Sequence, residues 1–276
     1  ANSGDGIVFK RMDLEEGKNI IEMQNNNVFE LTRGTNLRNE FGAPIYTIEH
    51  FLSALYILGI TDLFIEIDGN ELPIIDGSAH KFLELIEENI VELEDEVEEL
   101  VITEPIYVSK GDKYVIGLPY DGYKITYAIN FNHSFLKSQL LEMEITYENY
   151  KEEIAKARTF CFDYELDYLK ANNLALGGSL DNAIVITKDR VLNPGGLRYD
   201  DEFVRHKILD AIGDMALLEY TMIGEYDAIA GSHHLNHLLT KKLYEDKENY
   251  EIIDLEEAKH EAEMFELAFA KQLSEN

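Results

Sequence analysis

The sequence predicts an α+β protein organised as two α/β halves of similar content, and three observations predict it. Residues 7–88 alternate strand-like and helix-like stretches, an acidic run at 91–99 interrupts that pattern, and the alternation then resumes. The boundary is placed at the acidic run, giving a first domain over 1–98 and a second over 99–276. Val91-Glu-Leu-Glu-Asp-Glu-Val-Glu-Glu99 is read as a solvated connection rather than a ligand site, because a block of like charges repels itself and keeps its water.

In the first half, residues 7–9 and 28–33 read as short strands, and Thr47 is placed to cap a helix that runs to Leu58 with Gly59 at its end. Residues 61–67 alternate as a half-buried strand does, and Asp68-Gly69-Asn70 supplies the turn after it. Asp76-Gly-Ser-Ala then offers the oxygen acceptors that start a helix, here one through Glu88. The second half opens with strands at 101–108, 113–118 and 123–131, parted by Lys110-Gly-Asp and Pro119-Tyr-Asp-Gly. Helices are expected at 148–156, 163–172, 200–218 and 256–273, with a strand at 182–187.

Composition narrows the function classes. A chain of 276 residues that is 45% hydrophobic has material for a real core. It contains no run of eighteen apolar residues, so no integral membrane segment is expected, and no targeting signal is read at its start. A net charge of −30 repels nucleic acid and anionic headgroups, so neither is expected as a partner. An anionic small molecule would need local cations, for which Lys113 and Lys207 are candidates. The single cysteine, Cys161, forms no disulfide within the chain and excludes a thiolate metal site, which points to a reducing, cytoplasmic setting.

Any metal must therefore be held by His and carboxylate. His206-Lys-Ile-Leu-Asp210-Ala-Ile-Gly-Asp214 sets a histidine and two carboxylates at i, i+4 and i+8, near one face of a helix. His206 and Asp210 supply two ligands in this reading, and His50 is the best-placed third. Glu49 beside it is positioned to take the proton of an attacking water. Asp214 suits a group that holds a histidine in place. Within Gly231-Ser-His233-His234-Leu-Asn-His237, one of three histidines could protonate a leaving amine, and spacing alone does not choose among them. Thr159, after Lys156-Ala-Arg, offers a hydroxyl to an oxyanion. Leu176-Gly-Gly-Ser-Leu-Asp181 lacks the Gly-Lys-Ser/Thr ending and the dinucleotide spacing, so nucleotide-hydrolase and dinucleotide readings are rejected. The combination points to a metal-dependent hydrolase.

Thr47-Ile-Glu49-His50, Ile75-Asp-Gly-Ser78, Ala157-Arg-Thr-Phe160, Gly177-Gly-Ser-Leu-Asp181-Asn-Ala and Phe203-Val-Arg-His206-Lys-Ile-Leu-Asp210-Ala-Ile-Gly-Asp214 together resemble the UDP-3-O-acyl-N-acetylglucosamine deacetylases, in order and spacing, over roughly 6–239. The resemblance implies two α/β sandwich domains packed against each other with the site between them. It implies zinc on His50, His206 and Asp210, with ferrous iron as a cellular alternative, Glu49 as general base, Thr159 as oxyanion donor, His233 as the catalytic histidine and Asp214 as its orienter. The substrate would be a UDP-sugar bearing a 3-hydroxyacyl chain, deacetylated in the committed step of lipid A synthesis by a monomeric enzyme. Lys113 and Lys207 would meet the diphosphate, Phe131 the uridine, with Phe160 and Ser179 also binding substrate, and an insert over about 161–193 would form the acyl passage.

Three departures from the family pattern stand out. An additional strand is expected ahead of Ala1, Ala230 replaces a lysine, and Ser232 replaces a glycine where a positive φ would be disfavoured for serine. They motivate two other readings, a catalytically impaired protein that still binds the UDP-acyl-sugar, and a metal amidohydrolase for another N-acetylated substrate.

Overall fold

The computed structural model describes residues 1, 4–91, 98–172 and 174–254. Its first strand, β1 (Ile7–Arg11), buries alternate side chains and pairs antiparallel with β2 (Ile20–Glu22). β3 (Val28–Glu30), β4 (Asn36–Arg38) and β5 (Pro44–Ile45) form a separate antiparallel sheet. After α1 (Glu49–Ile57), β6 (Leu63–Ile67) returns to pair in parallel with β1, and α2 (His80–Glu87) follows.

The larger sheet is built from β7 (Glu98–Ile102), β8 (Ile106–Lys110), β9 (Lys113–Leu118), β10 (Tyr123–Ile129), β11 (Gln139–Glu144), β14 (Thr221–Ile229) and β15 (Tyr250–Asp254). Its centre is β14, which lies parallel to β10 on one side. On its other side it meets β7 first and the antiparallel β9 further along. Between β11 and β14 the chain forms α3 (Tyr147–Asn149), continued by a π-helical turn, then β12 (Phe160–Phe162), α4 (Leu166–Ala171), β13 (Ile184–Ile186) and α5 (Glu202–Met215). β12 and β13 pair in parallel, and α6 (His233–Glu245) follows β14.

The α+β class expected from sequence is observed. Helices α1 and α5 form its middle: α1 is buried from Glu49 to Leu55, and every α5 residue is buried except Arg205 and Lys207. A helix buried on nearly every face belongs to an interior, where each buried Leu or Ile contributes roughly 1.5–3 kcal/mol and its buried His and Asp residues must find partners. The two helices can approach because α5 carries Gly213, whose absent Cβ would lie 2.0 Å from the carbonyl oxygen of Glu49. Among the described residues no helix is long and apolar enough to cross a membrane.

Several local expectations change. Thr47 does not cap α1: it sits in the left-handed region (φ 59), its hydroxyl bonds Glu71, and Ile48 takes the cap position. The strand expected at 101–108 is two strands, β7 and β8, broken before Pro105, which has no N–H for a ladder. Ser232 is extended (φ −157) and caps α6 by accepting the Leu235 N–H, so no positive φ is demanded of it. Strands β2, β4, β5, β11, β12, β14 and β15 and helix α6 fall where the sequence reading places no such element. The helix expected at 256–273 and most of the acidic connection (92–97) lie outside the described residues.

Candidate metal and active site

The α1–α5 crossing sets His50, the second residue of α1, against His206 and Asp210, one turn apart on α5. The Asp210 Oδ1 atom lies 3.3 Å from His206 Nε2 and 3.6 Å from His50 Nε2, and all three residues are buried. His206 Nδ1 is 3.0 Å from the Ala157 carbonyl, which can only accept, so the ring proton resides there and Nε2 keeps its lone pair. Burial holds the His206 pKa down to about 3, so the ring is neutral, as a ligand must be. Asp210 is the reverse case: burial opposes its charge, yet the Lys207 ammonium bonded to it holds it well below the usual carboxylate range.

These residues fit a divalent cation. Asp210 Oδ1 is buried without a hydrogen-bond partner and faces two imidazole nitrogens. Two donors bound at about 2.1 Å to one tetrahedral ion lie roughly 3.4 Å apart, close to the spacings found here. The other Asp210 oxygen accepts from Lys207 Nζ at 2.6 Å.

Glu49, the first residue of α1, accepts the Thr35 N–H at 2.9 Å and has Gly34 beneath it, where a Cβ would meet its Oε1 at 2.9 Å. Burial raises its pKa, an effect partly offset by His233 and His50. His233 opens α6 and donates from Nδ1 to Asp214 Oδ2 at 2.8 Å, with Nε2 4.0 Å from Asp210. Burial acts to lower the His233 pKa, but Asp214, helped by Asp210 and Glu49, raises it to about 9. Asp214 also accepts from Thr35 Oγ1 at 2.5 Å and Asn236 Nδ2 at 2.7 Å, and Asn236 in turn accepts from Tyr226. Of the other two histidines in this cluster, His234 is exposed, and the buried Nδ1 of His237 has no hydrogen-bond partner among the described residues.

The segment 157–160 runs past the same place. Its Arg158 grips the buried Glu202 at the start of α5 with two guanidinium contacts of 2.8 and 3.1 Å. Thr159 donates its N–H to the Gly77 carbonyl, and its side-chain hydroxyl has no partner among the described residues. Gly77 belongs to the Ile75–Ser78 motif and touches the Asn182 carbonyl so closely that a Cβ would stand 1.9 Å from it. Phe160 lies 6.3 Å from His206, with Lys207 5.8 Å from its ring and Phe131 5.9 Å away.

Lys113 and Ser179 are not brought into this cluster by any contact among the described residues. Lys113 is exposed at the start of β9, and Ser179 is exposed in a turn where it binds Asn182 and Asp181. Thr35, Asn236 and Tyr226 escaped sequence reading. Asn236 could have been found, since it is one turn from His233, whereas Thr35 carries no local signal.

The model of the UDP-3-O-acyl N-acetylglycosamine deacetylase family matches residues 1–245. A protein of Aliarcobacter butzleri named UDP-3-O-acyl-N-acetylglucosamine deacetylase is 51% identical over 272 residues, covering 98% of this chain and 89% of the relative. Proteins of the same name from Sulfurimonas denitrificans and Campylobacter jejuni are 46% and 45% identical, covering 93% and 98% of this chain and 86% and 90% of themselves. With a matching family model over nearly nine-tenths of its length and a paired His–His–Asp and Glu–His centre at its middle, the chain belongs to the UDP-3-O-acyl N-acetylglycosamine deacetylase family.

Proposed function

We propose that this chain hydrolyses the acetamide of UDP-3-O-(3-hydroxyacyl)-N-acetylglucosamine, releasing acetate in the committed step of lipid A biosynthesis, as a cytoplasmic monomer without nucleic-acid partners. The observation that carries the reading is the orphaned Asp210 Oδ1 facing His50 and His206, flanked by Glu49 and His233. His50, His206 and Asp210 would hold zinc, with ferrous iron the alternative in the cell. A divalent cation there supplies charge that polarises a carbonyl and lowers the pKa of water toward about 7.

Glu49, poised by its raised pKa, accepts the proton of the attacking water as the new C–O bond forms. The Thr159 hydroxyl, which has no hydrogen-bond partner among the described residues, donates to the oxyanion. As the C–N bond breaks, His233, held protonated and aimed by Asp214, passes a proton to the departing amine. Lys207 and Lys113 would meet the diphosphate, Phe131 the uridine, and Phe160 and Ser179 other parts of the substrate. The chain would divide into domains at 1–98 and 99–276, with the insert at about 161–193 forming the acyl passage.

The test is acetate release from the UDP-acyl-sugar by protein given one equivalent of Zn²⁺, beside a metal-free control. Metal-dependent release is expected, and Glu49→Ala should keep fold and metal while losing most turnover. Full activity in that variant would remove Glu49 from its role.

A further inference from the structure

We infer that Thr35 is a positioning residue that aligns both proton-transfer groups of this site at once, its backbone N–H holding Glu49 and its hydroxyl holding Asp214 against His233. The inference rests on the function proposed above. Thr35 lies between β3 and β4, is fully buried, and is far in sequence from Asp214 and His233. Its N–H donates to Glu49 Oε2 at 2.9 Å, and its Oγ1 donates to Asp214 Oδ1 at 2.5 Å while standing 3.4 Å from His233 Nδ1.

The hydroxyl decides the orientation of the carboxylate. Asp214 Oδ2 is occupied by His233 and Asn236, and its other oxygen has Thr35 as its side-chain donor. Without that donor the carboxylate can turn about its Cβ–Cγ bond, and the His233 ring loses the alignment that aims its Nε2. A threonine suits this post because its branched Cβ restricts χ1, so the hydroxyl is already aimed. At zero exposure, no solvent stands ready to replace it.

The experiment compares Thr35→Val, which keeps the shape and removes the hydroxyl, with Thr35→Ser, which keeps the hydroxyl, each alone and in a His233→Ala background, all in the metal-replete full chain. A hydrogen bond to a charged group predicts a kcat loss of roughly tenfold to a hundredfold in Thr35→Val, with KM and metal content unchanged. Thr35→Ser should recover most of it, and Thr35→Val should cost almost nothing further once His233 is gone. A parental kcat in Thr35→Val, equal losses in Val and Ser, or the same loss with and without His233 would each overturn the inference. If His233→Ala itself keeps parental kcat, the functional reading fails first and takes the inference with it. Where Thr35→Val melts below the assay temperature, Thr35→Ala against Thr35→Ser makes the same comparison.

Discussion

Gly213 on α5 lies against the backbone of Glu49 on α1, so close that a Cβ at position 213 would fall 2.0 Å from the Glu49 carbonyl oxygen and 2.8 Å from its carbonyl carbon. Both helices are interior, so neither can give way without moving the groups they carry. Gly213→Ala should therefore force α1 and α5 apart and destabilise the protein by roughly 3 kcal/mol or more, the upper range for overpacking. Thermal melting and metal content check this together. Parental values of both would show that the crossing has slack.

The rate should follow a bell in pH. Glu49 must be deprotonated to accept a proton, so activity rises with pH through its pKa, which burial sets above the usual value for glutamate. His233 must be protonated to donate, so activity falls as pH rises through about 9. The profile of kcat/KM reports both limbs. His233→Gln should lower the plateau and erase the basic limb, and a basic limb that survives unchanged would assign it to another group.

Removal of metal should cost stability as well as activity. With free metal at about a thousand times its Kd, binding adds roughly 4 kcal/mol, a shift on the order of 10 °C in Tm. Chelated protein is expected to melt lower and to recover on adding Zn²⁺, while Asp210→Asn should show no such response. Calorimetry with and without chelator makes the measurement.

Arg158 and Glu202 form a buried pair, with the Glu202 side chain wholly enclosed. Arg158→Met leaves that carboxylate without its counter-charge and should cost roughly 3–5 kcal/mol. It should also loosen the Ala157 carbonyl that holds His206, so metal affinity should fall alongside the denaturation midpoint. Loss of stability with unchanged affinity would separate the two roles.

What could be read from sequence depended on distance along the chain. His206, Asp210 and Asp214 share one helix, so their periodicity announced them, and the alternation of 61–67 or 113–118 announced strands in the same way. The Met222–Ala228 alternation of β14 and the Leu235, Leu239 and Leu243 spacing of α6 are equally legible signals, although in α6 they are interleaved with the histidines at 233–237. Thr35 had no such pattern to betray it, because its partners are brought near only by tertiary packing. The Thr47 cap failed for a related reason: a threonine before a helix is a local cue, and a contact with Glu71 outweighed it.

The hydrogen bond from Thr35 to Asp214 closes a span of 179 residues, and the approach to His233 one of 198. Closing loops of such length costs chain entropy, which nearer pairings lessen by shortening the loops. During synthesis, Glu49 and His50 emerge long before their partners on α5 and α6 exist. Until α5 and α6 have been made, the chain therefore has neither a complete cation cradle nor an aimed histidine with which to act on an acetamide.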